Sequence, residues 1–177
     1  SSPGSAFDPW PADVRIHAVV SIAPSDGQYT GGVVNLEGID LLAIQGGHDA
    51  DARAWSGIRQ YNRTTVTDGG FKAAIWEYRA NHGQYNRAWG RGDQGPFSGL
   101  FLNLAPLPPA AEQEDVARTA ITAFLRASLD DAAGYRALFR RPMVGRDWLP
   151  DDVYLVRYDA GTATPLVDPA SGTTPLV

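Results

Sequence analysis

Three short apolar runs constrain this chain more than any other feature. They are Arg15 to Ala23 (RIHAVVSIA), Gly38 to Gln45 (GIDLLAIQ) and Phe71 to Arg79 (FKAAIWEYR). Each is nearly continuous in apolar residues, the pattern of a strand covered on both faces, as in a parallel sheet. Pro24-Ser25-Asp26-Gly27 stops the first run and Gly46-Gly47 the second, both turn-forming clusters. Between the second and third, residues 50–63 predict a helix, because Trp55, Ile58 and Tyr61 recur every third position. Asp49 or Asp51 can serve as its N-cap.

A longer helix is predicted from Glu112 to Leu129. Ala117, Ala120, Ile121, Phe124, Leu125 and Ser128 trace one face, with Arg118, Thr119, Thr122 and Arg126 opposite. A shorter helix, about Ala132 to Arg140, runs up to Pro142, which stops it. Val153 to Tyr158 alternates as a strand does. Residues 1–13 and most of 80–107 read as loop. Strands alternating with helices give an α/β class with a parallel sheet. Three buried strands are few for such a sheet, so its remainder is expected upstream of Ser1, with the first run at an edge. Residues 1–159 are therefore expected to be one portion of an α/β domain. Residues 160–177, where Thr-Pro-Leu-Val occurs at 164–167 and again at 174–177, read as an extended linker or the start of a following β segment.

Composition removes several functional classes. The 177 residues carry a net charge of −5, with one lysine (Lys72) among 15 basic residues and no basic tract. That argues against a nucleic-acid footprint and a polybasic membrane patch. With no cysteine, there is no disulfide, thiolate nucleophile or cysteine zinc site. No apolar run approaches the ~18 residues of a membrane span.

Ligands of open α/β sheets bind beyond the carboxyl ends of the strands. The second run is followed there by Gly46-Gly47-His48-Asp49-Ala50-Asp51, the third by Ala80-Asn81-His82. In a parallel sheet both segments fall at one edge, where a carboxylate can orient an imidazole. His82 is the candidate base and Asp49 the candidate acid, with Asp51 and Asp26 as alternative acids. Asp49 can equally be a helix cap alone, and His82 a loop residue bonded to a carbonyl. His48, Asp49 and Asp51 are too compact on one turn to make a metal site without a distant partner. Ser25 sits in a turn rather than at a strand-to-helix elbow, which makes it a poor nucleophile. His17 reads as a structural residue inside a strand. Trp76 and Trp89 read first as packing residues; Tyr85 or Trp89 are also candidates to line an acyl pocket.

These segments together resemble the α/β-hydrolase superfamily, in particular bacterial serine esterases and lipases. LLAIQGGHDAD is similar to the acid-bearing strand and turn of that family, FKAAIWEYRANHGQYNRAW to its histidine-bearing strand and loop, and AVVSIAPSDGQY to the strand before the acid. DVARTAITAFLRASL, YRALFRRP and DWLP resemble the C-terminal helices of actinomycete-like members. The resemblance spans roughly residues 14–158. The family's nucleophile motif G-x-S-x-G does not occur. Gly95-Pro96-Phe97-Ser98-Gly99 has the wrong spacing, and Ser5 has no strand before it. The resemblance thus implies the C-terminal portion of a serine hydrolase acting on small-molecule esters without a cofactor. His82 and Asp49 would supply two triad members, and an upstream half of the same fold the serine and the oxyanion amides. The chain by itself is then expected to be inactive. A non-catalytic α/β binding module is the alternative for the same residues.

Overall fold

The computed structural model describes residues 14–26, 33, 35–52, 55–67, 69–93 and 102–161. The three apolar runs form neighbouring strands: β1 (Ala18–Ile22), β2 (Asp40–Gly46) and β3 (Phe71–Glu77). β1 pairs with β2, and β2 with β3, in parallel. A fourth strand, β4 (Tyr154–Ala160), lies outside β3 and runs antiparallel to it. The sheet order is β1-β2-β3-β4, so the sheet is mixed rather than wholly parallel. Alternation along VYLVRY announces a half-solvated strand but not its direction, and an antiparallel edge strand is a common addition to a parallel sheet. The helices are α1 (Ser56–Arg63), α2 (Ala110–Leu129) and α3 (Ala137–Arg140). The N-terminal loop, Ser98 and the Thr/Pro-rich tail beyond Gly161 lie outside the described residues.

Side chains alternate across the sheet with period two, and each face has its own helix. Leu42, Ile44, Phe71, Ala73 and Ile75 share one buried cluster with Ala120, Phe124 and Phe139. The ring of Phe71 lies 5.3 Å from that of Phe124 and 5.8 Å from that of Phe139. Leu41, Ala43 and Ala74 point the other way and pack with Tyr61 of α1. α2 is turned slightly from the expected orientation. Its buried positions include Val116, Ala120, Ala123, Phe124 and Ala127, while Leu125 is 37% exposed. Small alanines toward the strands let the helix axis approach closely, and the larger Leu125 is left at the rim.

Lys72, though on β3, is only 8% exposed. Its Nζ donates to the carbonyls of Tyr61 and Thr64 at 3.0 and 2.7 Å, closing the C-terminus of α1, where a cation also complements the helix dipole. The predicted strand from Arg15 is shorter at its start: His17 is exposed and precedes β1, and its carbonyl accepts from Asp40 N–H at 3.0 Å. Among the described residues no helix is long and apolar enough to cross a membrane.

Candidate active site

The turn after β2 and the loop after β3 are bound to each other by their backbones. Gly47 N–H donates to the Glu77 carbonyl at 2.8 Å and His48 N–H to the Ala80 carbonyl at 2.9 Å. Glycine at 46 is required for that approach, because a Cβ there would stand 2.2 Å from the Ala80 carbonyl oxygen. β2 contributes a second fastening: Gln45 Nε2 donates to the Ala52 carbonyl at 2.5 Å, and its Oε1 accepts from Gly57 N–H at 3.0 Å. The predicted helix over 50–63 consequently begins only at Ser56, after Trp55 adopts a left-handed φ of 49°. Asp49 caps the turn before it rather than α1: Oδ1 accepts from the N–H groups of Asp51 and Ala52 at 3.0 and 2.6 Å.

That capping aims the second carboxylate oxygen at His82. Asp49 Oδ2 accepts from His82 Nδ1 at 3.0 Å, with the Asp49 side chain 1% exposed. The structure thus brings the two sequence candidates into direct contact at the carboxyl ends of adjacent parallel strands. Nδ1–H donation to a carboxylate leaves Nε2 as the ring's basic nitrogen. The imidazole borders a cleft of about 320 Å³ together with Ile22 to Ser25, Asp51 and Ala52. Bonding to Asp49 holds the His82 pKa above its usual 6.5 despite burial, and the charges of Asp49, Asp51 and Asp93 act in the same direction. Trp89 lies nearly parallel to the imidazole, with ring centroids 5.4 Å apart, so the indole covers one face of the ring.

The other sequence candidates are placed differently. Asp51, the alternative acid, lies on the other side of the ring, its Oδ2 3.6 Å from His82 Nε2. The turn begun by Asp49 carries Asp51 back over the cleft because α1 starts later than expected. Asp26 is ion-paired with Arg63, whose Nη1 reaches Oδ2 at 3.3 Å, and so is committed elsewhere. Ser25 lines the same cleft as His82. His48 Nδ1 donates to the Tyr78 carbonyl at 2.7 Å, a structural bond. Tyr85 is turned toward Glu77, to which its hydroxyl donates at 3.4 Å, and Trp76 packs against Trp55 and Tyr78. Among the described residues, no group of three or more His, Asp or Glu is arranged to hold a metal ion.

Sequence reasoning did not single out the polar residues around the histidine loop. Gln113, fully buried in the first turns of α2, reads the backbone of Asn81 in both directions. Its Nε2 donates to the Asn81 carbonyl at 2.7 Å and its Oε1 accepts from Asn81 N–H at 3.1 Å. Asp93, also fully buried, accepts from Asn81 Nδ2 at 2.6 Å, Gly83 N–H at 2.9 Å and Ala50 N–H at 2.7 Å. The one sequence signal for Gln113 was its place in a helix, where a buried glutamine needs a partner; Asp93 stands in a glycine-rich loop with nothing to mark it. A larger hollow of about 820 Å³ beside α2 and α3 has no carboxylate or imidazole in its wall. A search of family models finds no match to this chain, and a search of curated proteins finds no relative.

Proposed function

We propose that this chain is the acid- and histidine-bearing portion of an α/β-hydrolase-type serine hydrolase, acting on carboxylic esters. One observation supports this above the others: the 3.0 Å contact between His82 Nδ1 and a buried Asp49 carboxylate, on an imidazole that borders a cleft. In such a site His82 Nε2 takes the proton of an attacking serine hydroxyl and then delivers it to the leaving alkoxide. Asp49 fixes the tautomer and stabilises the imidazolium. Its capping bonds to Asp51 and Ala52 hold the carboxylate still while the ring changes charge. The serine and the oxyanion donors are assigned to polypeptide that adds to the outer edge of β1. β1 is the end strand of the described sheet, and Ile22 and Ser25 at its carboxyl end already border the cleft. Its chemistry calls for no cofactor.

The test is to determine the coding sequence upstream of Ser1 and to produce it joined to this chain. The joined protein is expected to carry G-x-S-x-G after an apolar strand, to be labelled at that serine by a fluorophosphonate, and to hydrolyse p-nitrophenyl acyl esters. The 177-residue chain alone should not raise hydrolysis above background, since nucleophile, base and oxyanion hole act as a unit. An upstream region without the motif, together with a joined protein that resists labelling, overturns the proposal in favour of a binding module. Hydrolysis by the chain alone that disappears in Ser25→Ala overturns the division of labour instead.

A further inference from the structure

We infer that Asp93 is a positioning residue for the His82–Asp49 pair, holding the acid turn and the histidine loop on one buried carboxylate. This rests on the proposed roles of His82 and Asp49. The two segments come from different strands, and an imidazole–carboxylate contact between them requires that neither drift. Asp93 contacts both. Oδ2 accepts from Ala50 N–H, the residue next to Asp49, at 2.7 Å. Oδ1 accepts from Gly83 N–H, the residue after His82, at 2.9 Å, and from the Asn81 side chain, the residue before it, at 2.6 Å. The flanks of both functional residues are thereby tied to one group that is 0% exposed. Glycine at 83 belongs to the same arrangement, because a Cβ there would lie 2.3 Å from the Gly90 carbonyl oxygen.

Only a carboxylate suits the place. Each oxygen faces N–H donors alone, so an asparagine would set its own NH₂ against one of them and lose a bond while burying an unpaired donor. Serine or alanine would leave three donors, on two loops, with too few acceptors. Asp93 does not touch the imidazole itself. The ring's charged surroundings are Asp49 on Nδ1 and Asp51 near Nε2, with Trp89 over its face, and Asp93 adds its field from behind the loop.

The test uses the 177-residue chain and needs no hydrolysis, so its outcome is separable from that of the proposed function. His82 is titrated by NMR in the unmodified chain, in Asp93→Asn, in Asp49→Asn and in the double variant. If Asp93 acts by placing the Asp49–His82 contact, Asp93→Asn lowers the His82 midpoint and abolishes the slowly exchanging Nδ1–H resonance. In the Asp49→Asn background the same change then has little further effect, a non-additive cycle. Additive shifts, which a simple field effect would give, overturn the inference; so does an Asp93→Asn chain whose Nδ1–H resonance persists. Should Asp93→Asn fail to fold, couplings across hydrogen bonds are measured in the unmodified chain. Transfer from both the Ala50 and Gly83 amide nitrogens to the Asp93 carboxyl carbon supports the clamp, and its absence from either overturns it.

Discussion

On the proposed function, His82→Ala, made in the protein joined to its upstream region, is expected to lower ester turnover by about 10⁶-fold. The alanine variant has no group to receive the serine proton, and the remaining binding and oxyanion contacts cannot replace a base. Asp49→Asn should cost on the order of 10⁴ in turnover, because an asparagine offers the ring the wrong partner and with it the wrong tautomer. The pH profile gives a second check. In the proposed mechanism the base works as the neutral imidazole, and the His82 pKa is raised above 6.5 by the Asp49 bond. Turnover should therefore rise with pH through a limb lying above 6.5. Asp51→Asn removes a charge 3.6 Å from Nε2 and should move that limb to lower pH while leaving the plateau rate little changed. Steady-state kinetics of the three variants would decide the matter; full activity in His82→Ala would reduce the Asn81–Gly83 loop to a structural part of the fold.

Folding stability should decline as the pH is raised from about 4.5 to about 8, and Glu77 is the reason. This residue ends β3 and is 1% exposed. Burial, and next the nearby charge of Asp152, push its pKa up to about 8, against the opposing effects of Tyr85 and Arg79. The folded chain therefore keeps a proton that the unfolded chain has already released. Stability from this source is complete below the unfolded value of 4.5 and is lost as pH rises through the folded value. A displacement of that size corresponds to roughly 5 kcal/mol at most. His82, whose pKa is also raised, adds in the same direction once the pH passes its unfolded value. Urea midpoints at pH 5 and pH 8.5 measure the decline, and Glu77→Gln, neutral at every pH, should flatten most of it. A Glu77→Gln chain with the same pH slope as the unmodified one would show that the buried carboxyl is not its source.

The elements that sequence revealed are those whose signal is local. Continuous apolar runs mark β1 to β3, because strands covered on both faces have no room for polar side chains. His82 and Asp49 were visible because strand ends can be read from turn residues, and parallel pairing brings those ends to one edge. What was hidden depended on distant partners. β4 has its alternation written in VYLVRY, but its antiparallel direction is set by pairing with β3. The start of α1 is delayed because Gln45 and Asp49 hold the backbone of 49–52 in a fixed turn, an effect no helix periodicity reports. Asp93 gains its meaning from joining Ala50, 43 positions away, to Asn81 and Gly83, and Gln113 from Asn81, 32 positions away.

Lys72 is the chain's only lysine, and its amine is engaged with the last carbonyls of α1. Reagents that acylate or reductively alkylate amines consequently have a single side-chain target, and they reach it only when that end of the helix comes away from the sheet. The speed of such labelling is then a clock for local opening at β3 rather than a measure of surface reactivity. For the same reason, attaching the protein to a support through its lysine begins by loosening β3, the strand that leads into the His82 loop.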